Sequence, residues 1–297
     1  MGKQSLFKAN FEESLNLEDD GFLQYQKRDV FSKLEKSYRK GKTTIRLHIQ
    51  SVILTLIGPI AINFMFLVFS EYLHDSDPKD LTLPISRHPL LTVEVYLVCL
   101  LLWGIIILIG KIFRRAYILA YRYHFHVITF LVWTTLEFNL LVIDVSLPTL
   151  SLWGIVTILV LILLLACVMF ISRIRRLKNL IYGTNISPSL SDKIAGKIAV
   201  YGMGILGIGV IIRVVLSSLS IKLSNSMVGL GLLLTWIVAN IAIIAIIIYL
   251  EFPSYLQAYY KWKYSEEYRE WEGKSLEEWY GKRYLKKHPE LLKRDLQ

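Results

Sequence analysis

Residues Leu152 to Ile171 read LWGIVTILVLILLLACVMFI, an apolar stretch without a charged side chain. A helix rises about 1.5 Å per residue, so this stretch extends about 30 Å, the thickness of the hydrocarbon core of a bilayer. It is followed at once by the basic residues Arg173, Arg175, Arg176 and Lys178. Because Lys and Arg near the end of a span favour the cytoplasmic side, we predict a transmembrane helix whose C-terminal end faces the cytoplasm.

Working outward from this span, five further apolar segments have a similar length. The predicted spans are 47–69, 91–113, 127–147, 152–171, 198–219 and 228–249. Gly58-Pro59 interrupts the first span and is expected to bend it, and Pro148 predicts a turn between the third and fourth spans. The fold class is therefore an all-α polytopic membrane protein with six transmembrane helices in a domain 47–249. Cytoplasmic arms 1–46 and 250–297 flank this domain.

The charge distribution determines the predicted orientation. Of the 34 Lys and Arg residues, 30 fall in segments that this topology places inside. Only Lys79, Arg87, Arg213 and Lys222 fall outside or near the outer face. The positive-inside rule therefore predicts that both termini are cytoplasmic. The same topology places most of the net charge of +10 next to the anionic lipids of the inner leaflet. These lipids are therefore the expected partner of the basic residues, and nucleic acid is not.

Both arms carry patterns typical of helices at a membrane surface. In the arm 1–46, Val30, Leu34 and Tyr38 recur at helical spacing among basic residues. This pattern predicts a basic amphipathic helix that either lies on the inner membrane face or leads, solvated, into the first span. The arm 250–297 is dense in Tyr and Trp, which favour membrane interfaces.

The C-terminal arm is also the predicted site for a protein partner. We predict short helices that lie on the membrane or dock that partner, and Ser275 to Glu278 has the pattern of a capping box that starts a helix after Gly273. The candidate partner or interface residues are Trp262, Trp271, Trp279 and Tyr280.

Ionisable side chains inside a bilayer are costly and are functional candidates by default. The candidates within or at the edge of the spans are Glu137, Asp144, Arg213, Glu94, Asn63 and Asn240. Glu137 lies near the midplane of the third span. Asp144 and Arg213 are predicted at a similar depth to each other, so these two residues can form an ion pair. These residues form either a polar site for an anion, a proton or a cation, or structural contacts that hold the bundle together.

The glycines of the fifth span favour close helix packing over a flexible gate. They are Gly202, Gly204, Gly207 and Gly209. Gly202 and Gly209 are one heptad apart and therefore share a face, where a neighbouring helix can approach closely.

No pattern for a hydrolase, an ATPase, a dinucleotide site or a metal site is complete in the sequence, and we predict no enzyme activity, no cofactor and no metal. The pairs His124, His126 and His74, Asp75 lack a third ligand at diagnostic spacing.

Two functional hypotheses remain. The first is a non-enzymatic membrane subunit or accessory of a transport or secretion assembly, or a self-protection (immunity) protein, acting through partner-binding cytoplasmic arms. The alternative is a small-solute or ion transporter or channel that uses Glu137, Asp144 and Arg213. In both cases we expect a multi-pass protein of the bacterial cytoplasmic membrane.

Overall fold

A computed structural model describes residues 5–26, 49, 52–110, 116–118, 121–183 and 225–294. Within these ranges the chain is helical and contains no β-strand. The fifth predicted span, its glycines and Arg213 lie outside the described residues, as does the segment around Val30, Leu34 and Tyr38.

Three helical stretches are long and apolar enough to cross a membrane, in the part of the chain that was described. They are α3 (Ile53–Asp75), α5 (Tyr121–Ile181) and the continuous stretch Asn225–Lys263. That last stretch consists of α6 (Asn225–Ala245), a π turn (Ile246–Glu251) and α7 (Phe252–Lys263). The shorter apolar helix is α4 (Val93–Ile109). Many apolar side chains on these helices face outward, such as Met65, Leu101 and Leu161 at 68%, 64% and 60% exposure, as expected for lipid contact.

The remaining helices are short and belong to the terminal arms. They are α1 (Phe11–Leu15), α2 (Gly21–Gln26), α8 (Ser265–Trp271), α9 (Leu276–Tyr280), α10 (Lys282–Leu285) and α11 (Pro289–Arg294). Two 3₁₀ turns, Asn16–Asp19 and Ala116–Ile118, complete the described elements. The predicted capping box is confirmed, because Ser275 caps α9 together with Glu278.

The first membrane helix is irregular at the predicted place. A π turn occupies Ile53–Ile57, and the Gly58 N–H bonds to the Ile53 carbonyl, five residues back. Pro59, which has no N–H, follows directly. A π turn next to a proline is one of the few causes of a helix bend, so the local sequence explains this distortion.

Helix α5 is two antiparallel helices, 121–150 and 152–181, joined at Ser151. Ser151 has φ 57° and ψ 162°, and the chain reverses there. Residues other than glycine rarely adopt this backbone conformation. The reversal places Ile155 in the same buried cluster as Val142, and Leu177 in the same buried cluster as Tyr121. The chain thus turns between the third and fourth predicted spans, as expected, but at Ser151 rather than at Pro148: the proline only leaves one helix bond unmade.

Several helices extend beyond the predicted spans. The second half of α5 continues to Ile181, and the last membrane helix continues to Lys263 through the π turn. Hydropathy marks where a helix leaves the hydrocarbon, but the helix itself ends only where its backbone groups find other partners. The extensions therefore connect the membrane helices rigidly to the arms.

The two arms pack together at one end of the bundle, which we call the arm end. Their shared core contains Leu17 from the first arm, Leu256 and Tyr260 from α7, and Leu177 from the end of α5, each at most 1% exposed. The opposite end, called the loop end, carries the connection 76–92 between α3 and α4. The arms thus form one folded unit, which we call the arm domain.

Candidate functional site

Glu137 lies in the middle of the first half of α5, about 24 Å along the helix from Tyr121. The residue is fully buried. Its Oε1 accepts a hydrogen bond from Trp133 Nε1 at 2.5 Å, one turn earlier on the same helix. Its Oε2 has no hydrogen-bond partner among the residues that the structure describes. A buried carboxyl oxygen without a partner is costly, so this atom is a candidate for binding a proton, a cation or water.

Aromatic side chains from α4 pack against Trp133, the hydrogen-bond donor to the Glu137 carboxyl group. The Trp103 ring lies 5.0 Å from the Trp133 ring, between centroids, and the Tyr96 ring lies 6.0 Å from it. The Trp103 Nε1 donor is also buried without a partner in the described ranges. The carboxyl group therefore lies in an apolar, aromatic setting.

Asn63 brings α3 to the same region. Its Nδ2 donates to the Pro59 carbonyl at 2.8 Å and to Thr134 Oγ1 at 3.3 Å. Its Oδ1 is buried and has no partner within the described part of the chain. Three helices thus each contribute one buried polar atom with unused hydrogen-bonding capacity: Asn63 Oδ1, Trp103 Nε1 and Glu137 Oε2. We call this set the membrane polar site.

Asp144 has a different role, seven residues further toward the loop end. Its buried carboxylate accepts hydrogen bonds from the Ser86 hydroxyl and, at 3.4 Å, from the Leu90 N–H. His74 Nε2 lies 3.4 Å from Asp144 Oδ2. The Asp144 carbonyl, which Pro148 cannot bond from within the helix, accepts the Ser86 N–H at 3.1 Å instead. Asp144 therefore fastens the connection 76–92, and its predicted pairing with Arg213 stays a prediction.

Asn240 belongs to an amide cluster between α5 and α6. Asn240 and Asn139 exchange side-chain hydrogen bonds at 3.0 and 3.1 Å. Trp236 Nε1 donates to the same Asn139 oxygen at 2.5 Å. The polar side chains of this cluster thus form hydrogen bonds with one another inside the bundle, so the cluster fits a structural role. The sequence analysis did not identify Asn139, although an amide two residues from Glu137 in an apolar run was a visible signal.

A buried ion pair joins the arm domain to the membrane helices. Arg173 and Asp20 are fully buried, with Nη1 2.9 Å from Oδ2. Arg173 also donates to the Tyr249 carbonyl at 3.2 Å and lies over the Tyr249 ring. In the sequence, Arg173 is one of several cations that orient the fourth span, and Asp20 belongs to an acidic patch. Only the tertiary structure brings the two together.

A second buried polar contact lies nearby, where His124 Nδ1 is 2.7 Å from Glu251 Oε2. His124 is near the start of α5, and Glu251 ends the π turn before α7. The pair therefore holds the last membrane helix against α5 at the arm end. Among the described residues, no group of three or more His, Cys, Asp or Glu side chains is placed so that it could hold a metal ion.

Lys261 lies at the centre of the arm domain. Its ammonium group is paired with Glu272 and lies 5.8 to 6.0 Å from the ring centroids of Trp279, Tyr268 and Tyr121. Burial by itself would raise the pKa of the Glu272 carboxyl, but the Lys261 and Lys274 ammonium groups hold this pKa below its usual value. The carboxylate therefore stays charged, and the cluster joins α7, α8 and α9.

The four aromatic candidates of the C-terminal arm divide into two pairs. Trp279 and Tyr280 are buried, at 1% and 6% exposure, and pack in the shared core, where both contact Tyr117. Burial also raises the pKa of the Tyr280 hydroxyl to about 12. Trp262 and Trp271 are exposed, at 56% and 49%. Only the second pair is on the surface, where a partner can reach it.

Glu94, the remaining described candidate, is exposed in the first turn of α4, after the N-cap residue Thr92. A carboxylate at a helix N-terminus is favourable there without any ligand. The membrane polar site and the exposed tryptophans thus remain as the two candidate functional features. No protein-family model matches this chain, and no curated protein or solved structure is significantly similar to it.

Proposed function

We propose that the protein is a non-enzymatic integral membrane protein that acts through its arm domain. It serves as a membrane subunit or accessory of a transport or secretion assembly, or as a self-protection (immunity) protein against a membrane toxin. The supporting observation is that Trp262 and Trp271 are exposed on the surface of the arm domain and do not belong to its buried core. Tryptophans dominate the binding energy of many protein interfaces.

The arm domain offers a partner a preorganised surface. The hydroxyl groups of Tyr260 and Tyr264 donate to backbone carbonyls of the first arm at 2.6 and 2.8 Å. Ser14 and Tyr268 share a hydrogen bond of 3.0 Å between the two arms. Because these contacts fix the backbone before binding, a partner does not have to order the arms.

The proposal includes six spans with both termini in the cytoplasm of a bacterial cell. The hairpin in α5 supports two of these spans, and α3, α4 and α6 support three more. The sequence 198–219 supplies the fifth in chain order. The distribution of Lys and Arg supports the orientation, with the arm domain at the anionic inner leaflet.

We expect the double variant Trp262→Ala, Trp271→Ala to lose its partner while keeping its fold. Each exposed tryptophan at a binding interface contributes about 2 kcal/mol, so affinity falls by roughly 30-fold for each one that is removed. The measurement is purification from native membranes in mild detergent, with mass spectrometry of stoichiometric companions. Thermal unfolding of the same samples is the control for folding.

Two results would contradict this function. One is a wild-type protein that purifies alone from native membranes. The other is a companion that stays bound at wild-type stoichiometry when both tryptophans are absent. Point substitutions are used because the tail also supplies Leu256, Tyr260 and Trp279 to the arm core, so its removal would unfold the arm domain.

Transport is the second candidate function, and the membrane polar site favours it. Glu137 Oε2 is the midplane atom that a transported proton or cation would meet, and no described residue donates a hydrogen bond to it. In this case Arg213 and Asp144, as predicted from the sequence, would line the outer part of the path.

Glu137→Gln separates these functions. Gln keeps the shape and the acceptor for Trp133 Nε1 but cannot ionise, so we expect the unfolding temperature to stay within a few degrees of wild type. If the protein transports protons or cations, flux into liposomes under an imposed potential falls at least about tenfold, as for loss of an essential acid. Glu94→Gln, at the exposed start of α4, is the control. Equal flux in wild type and Glu137→Gln would eliminate the transport function.

A further inference from the structure

A cavity of about 480 Å³ lies where the membrane helices meet the arm domain. Its walls are mostly apolar and come from three parts of the chain: Phe7 from the first arm, Phe125 and Ile128 from α5, and Ile247 and Phe252 from the last membrane helix. Thr129 and Tyr255 are the lining residues that carry a hydroxyl group. This volume falls within the range of small-molecule and cofactor pockets, about 300 to 1,000 Å³. The cavity can therefore hold a molecule rather than a single water.

The cavity is open to the outside of the protein. Phe7 is 47% exposed, and Phe125, Ile128, Ile247 and Phe252 are all partly exposed. These residues lie at the arm end of α5 and at the end of the apolar run of the last membrane helix. In the membrane placement proposed above, this depth surrounds the cavity with lipid acyl chains near the headgroup layer.

Two lysines lie at the arm side of the cavity, beside Phe7. Lys8 follows it in the chain and is exposed. Lys263 Nζ lies 3.4 Å from the Phe7 carbonyl oxygen and 3.3 Å from that of Ala9. Lys263 Nζ also lies 4.8 Å from the centroid of the Tyr264 ring. In the described part of the chain neither lysine forms an ion pair with a carboxylate, and both are exposed, so an anion can approach both positive charges.

We propose that this cavity binds one anionic phospholipid, with an acyl chain between α5 and the last membrane helix and the phosphate beside Lys8 and Lys263. The mostly apolar walls favour an acyl chain over a polar ligand, and the proposed depth of the cavity supplies acyl chains at high local concentration. The two ammonium groups select an anionic headgroup. The proposal depends on the membrane placement of the protein but not on any protein partner.

The bound lipid is tested by native mass spectrometry of the full chain in detergent, with phosphatidylglycerol and phosphatidylcholine as probes. We expect one tightly retained phosphatidylglycerol. Lys8→Gln should weaken its retention roughly fivefold, the contribution of one lysine near an anionic headgroup. Ile128→Trp, which fills the cavity, should abolish retention, whereas Leu161→Trp, on the outward face of α5, should leave it unchanged. Equal retention of the two lipids would overturn the proposal, as would full retention by a stably folded Ile128→Trp.

A second measurement on the wild-type protein does not depend on any variant. Phosphatidylglycerol with a photoreactive group in its acyl chain should label peptides 123–130 and 247–256 more strongly than peptide 156–165. Even labelling of the three peptides would contradict the proposal. Absence of label at the cavity would show that another part of the chain fills it, and would contradict the proposal as well. Neither outcome affects the companions measured for Trp262 and Trp271, so the two proposals fail separately.

Discussion

Arg173→Ala is expected to lower the stability of the whole protein by about 3–5 kcal/mol, the typical effect of breaking a buried ion pair. The substitution leaves the Asp20 carboxylate buried without its main counter-charge. It also removes the donor to the Tyr249 carbonyl, which is fully inside the protein. In a thermal unfolding experiment in detergent, the midpoint should fall by roughly 10 °C.

Arg175→Ala is the matched control for this prediction. Arg175 lies two residues further along the same helix and is exposed, so its loss should change stability by at most about 0.5 kcal/mol. Replacing both members of the pair, as in Arg173→Met with Asp20→Asn, should recover much of the loss, because no buried charge remains. If Arg173→Ala and Arg175→Ala unfold at the same temperature, the arm domain is not attached through this pair.

Trp279→Ala is the second large expected effect, also about 3–5 kcal/mol, because it opens a cavity in the arm core. The Trp279 ring is 1% exposed and stacks on Tyr117, with centroids 4.9 Å apart and planes 1° from parallel. It also packs against the Lys261 ammonium group. We expect the C-terminal arm to become sensitive to limited proteolysis and the unfolding temperature to fall.

Trp271→Ala serves as the control, since it removes the same side chain from a half-exposed position eight residues earlier. Its expected effect on stability is at most about 0.5 kcal/mol. The two variants therefore separate folding from binding: Trp279→Ala destabilises the arm domain, and Trp271→Ala acts on the partner alone. Equal protease sensitivity of the two variants would show that Trp279 does not hold the arm core together.

Short-range signals in the sequence predicted local structure well. Within the described residues the apolar stretches appear as helices, Gly58-Pro59 lies at an irregular helix start, and Ser275 caps its helix. Each of these features depends on residues within about one or two turns of one another, so no tertiary information is needed. The turn near Pro148 was predicted three residues early, because the proline weakens the helix without fixing the residue that reverses the chain.

The environment of the candidate residues was not predictable in the same way. Glu137 was identified as a midplane carboxylate, but its Trp133 hydrogen bond and the unpartnered atoms of Asn63 and Trp103 depend on how three helices face one another. Asn139 was missed although its amide stands out in an apolar run, because nothing local in the sequence shows that it bonds to Asn240 on another helix. The tail aromatics were treated as one group, although the fold buries Trp279 and exposes Trp271.

The sequence by itself determined that this is a helical protein with membrane-length apolar segments, because apolar run length is measured directly against bilayer thickness. Only the tertiary structure decided that the two arms share one core and that Arg173 is buried against Asp20. These two residues are 153 positions apart, and either could have been a solvated surface charge. Partner choice over such distances depends on the packing of the whole chain, and one sequence carries no local signal for it.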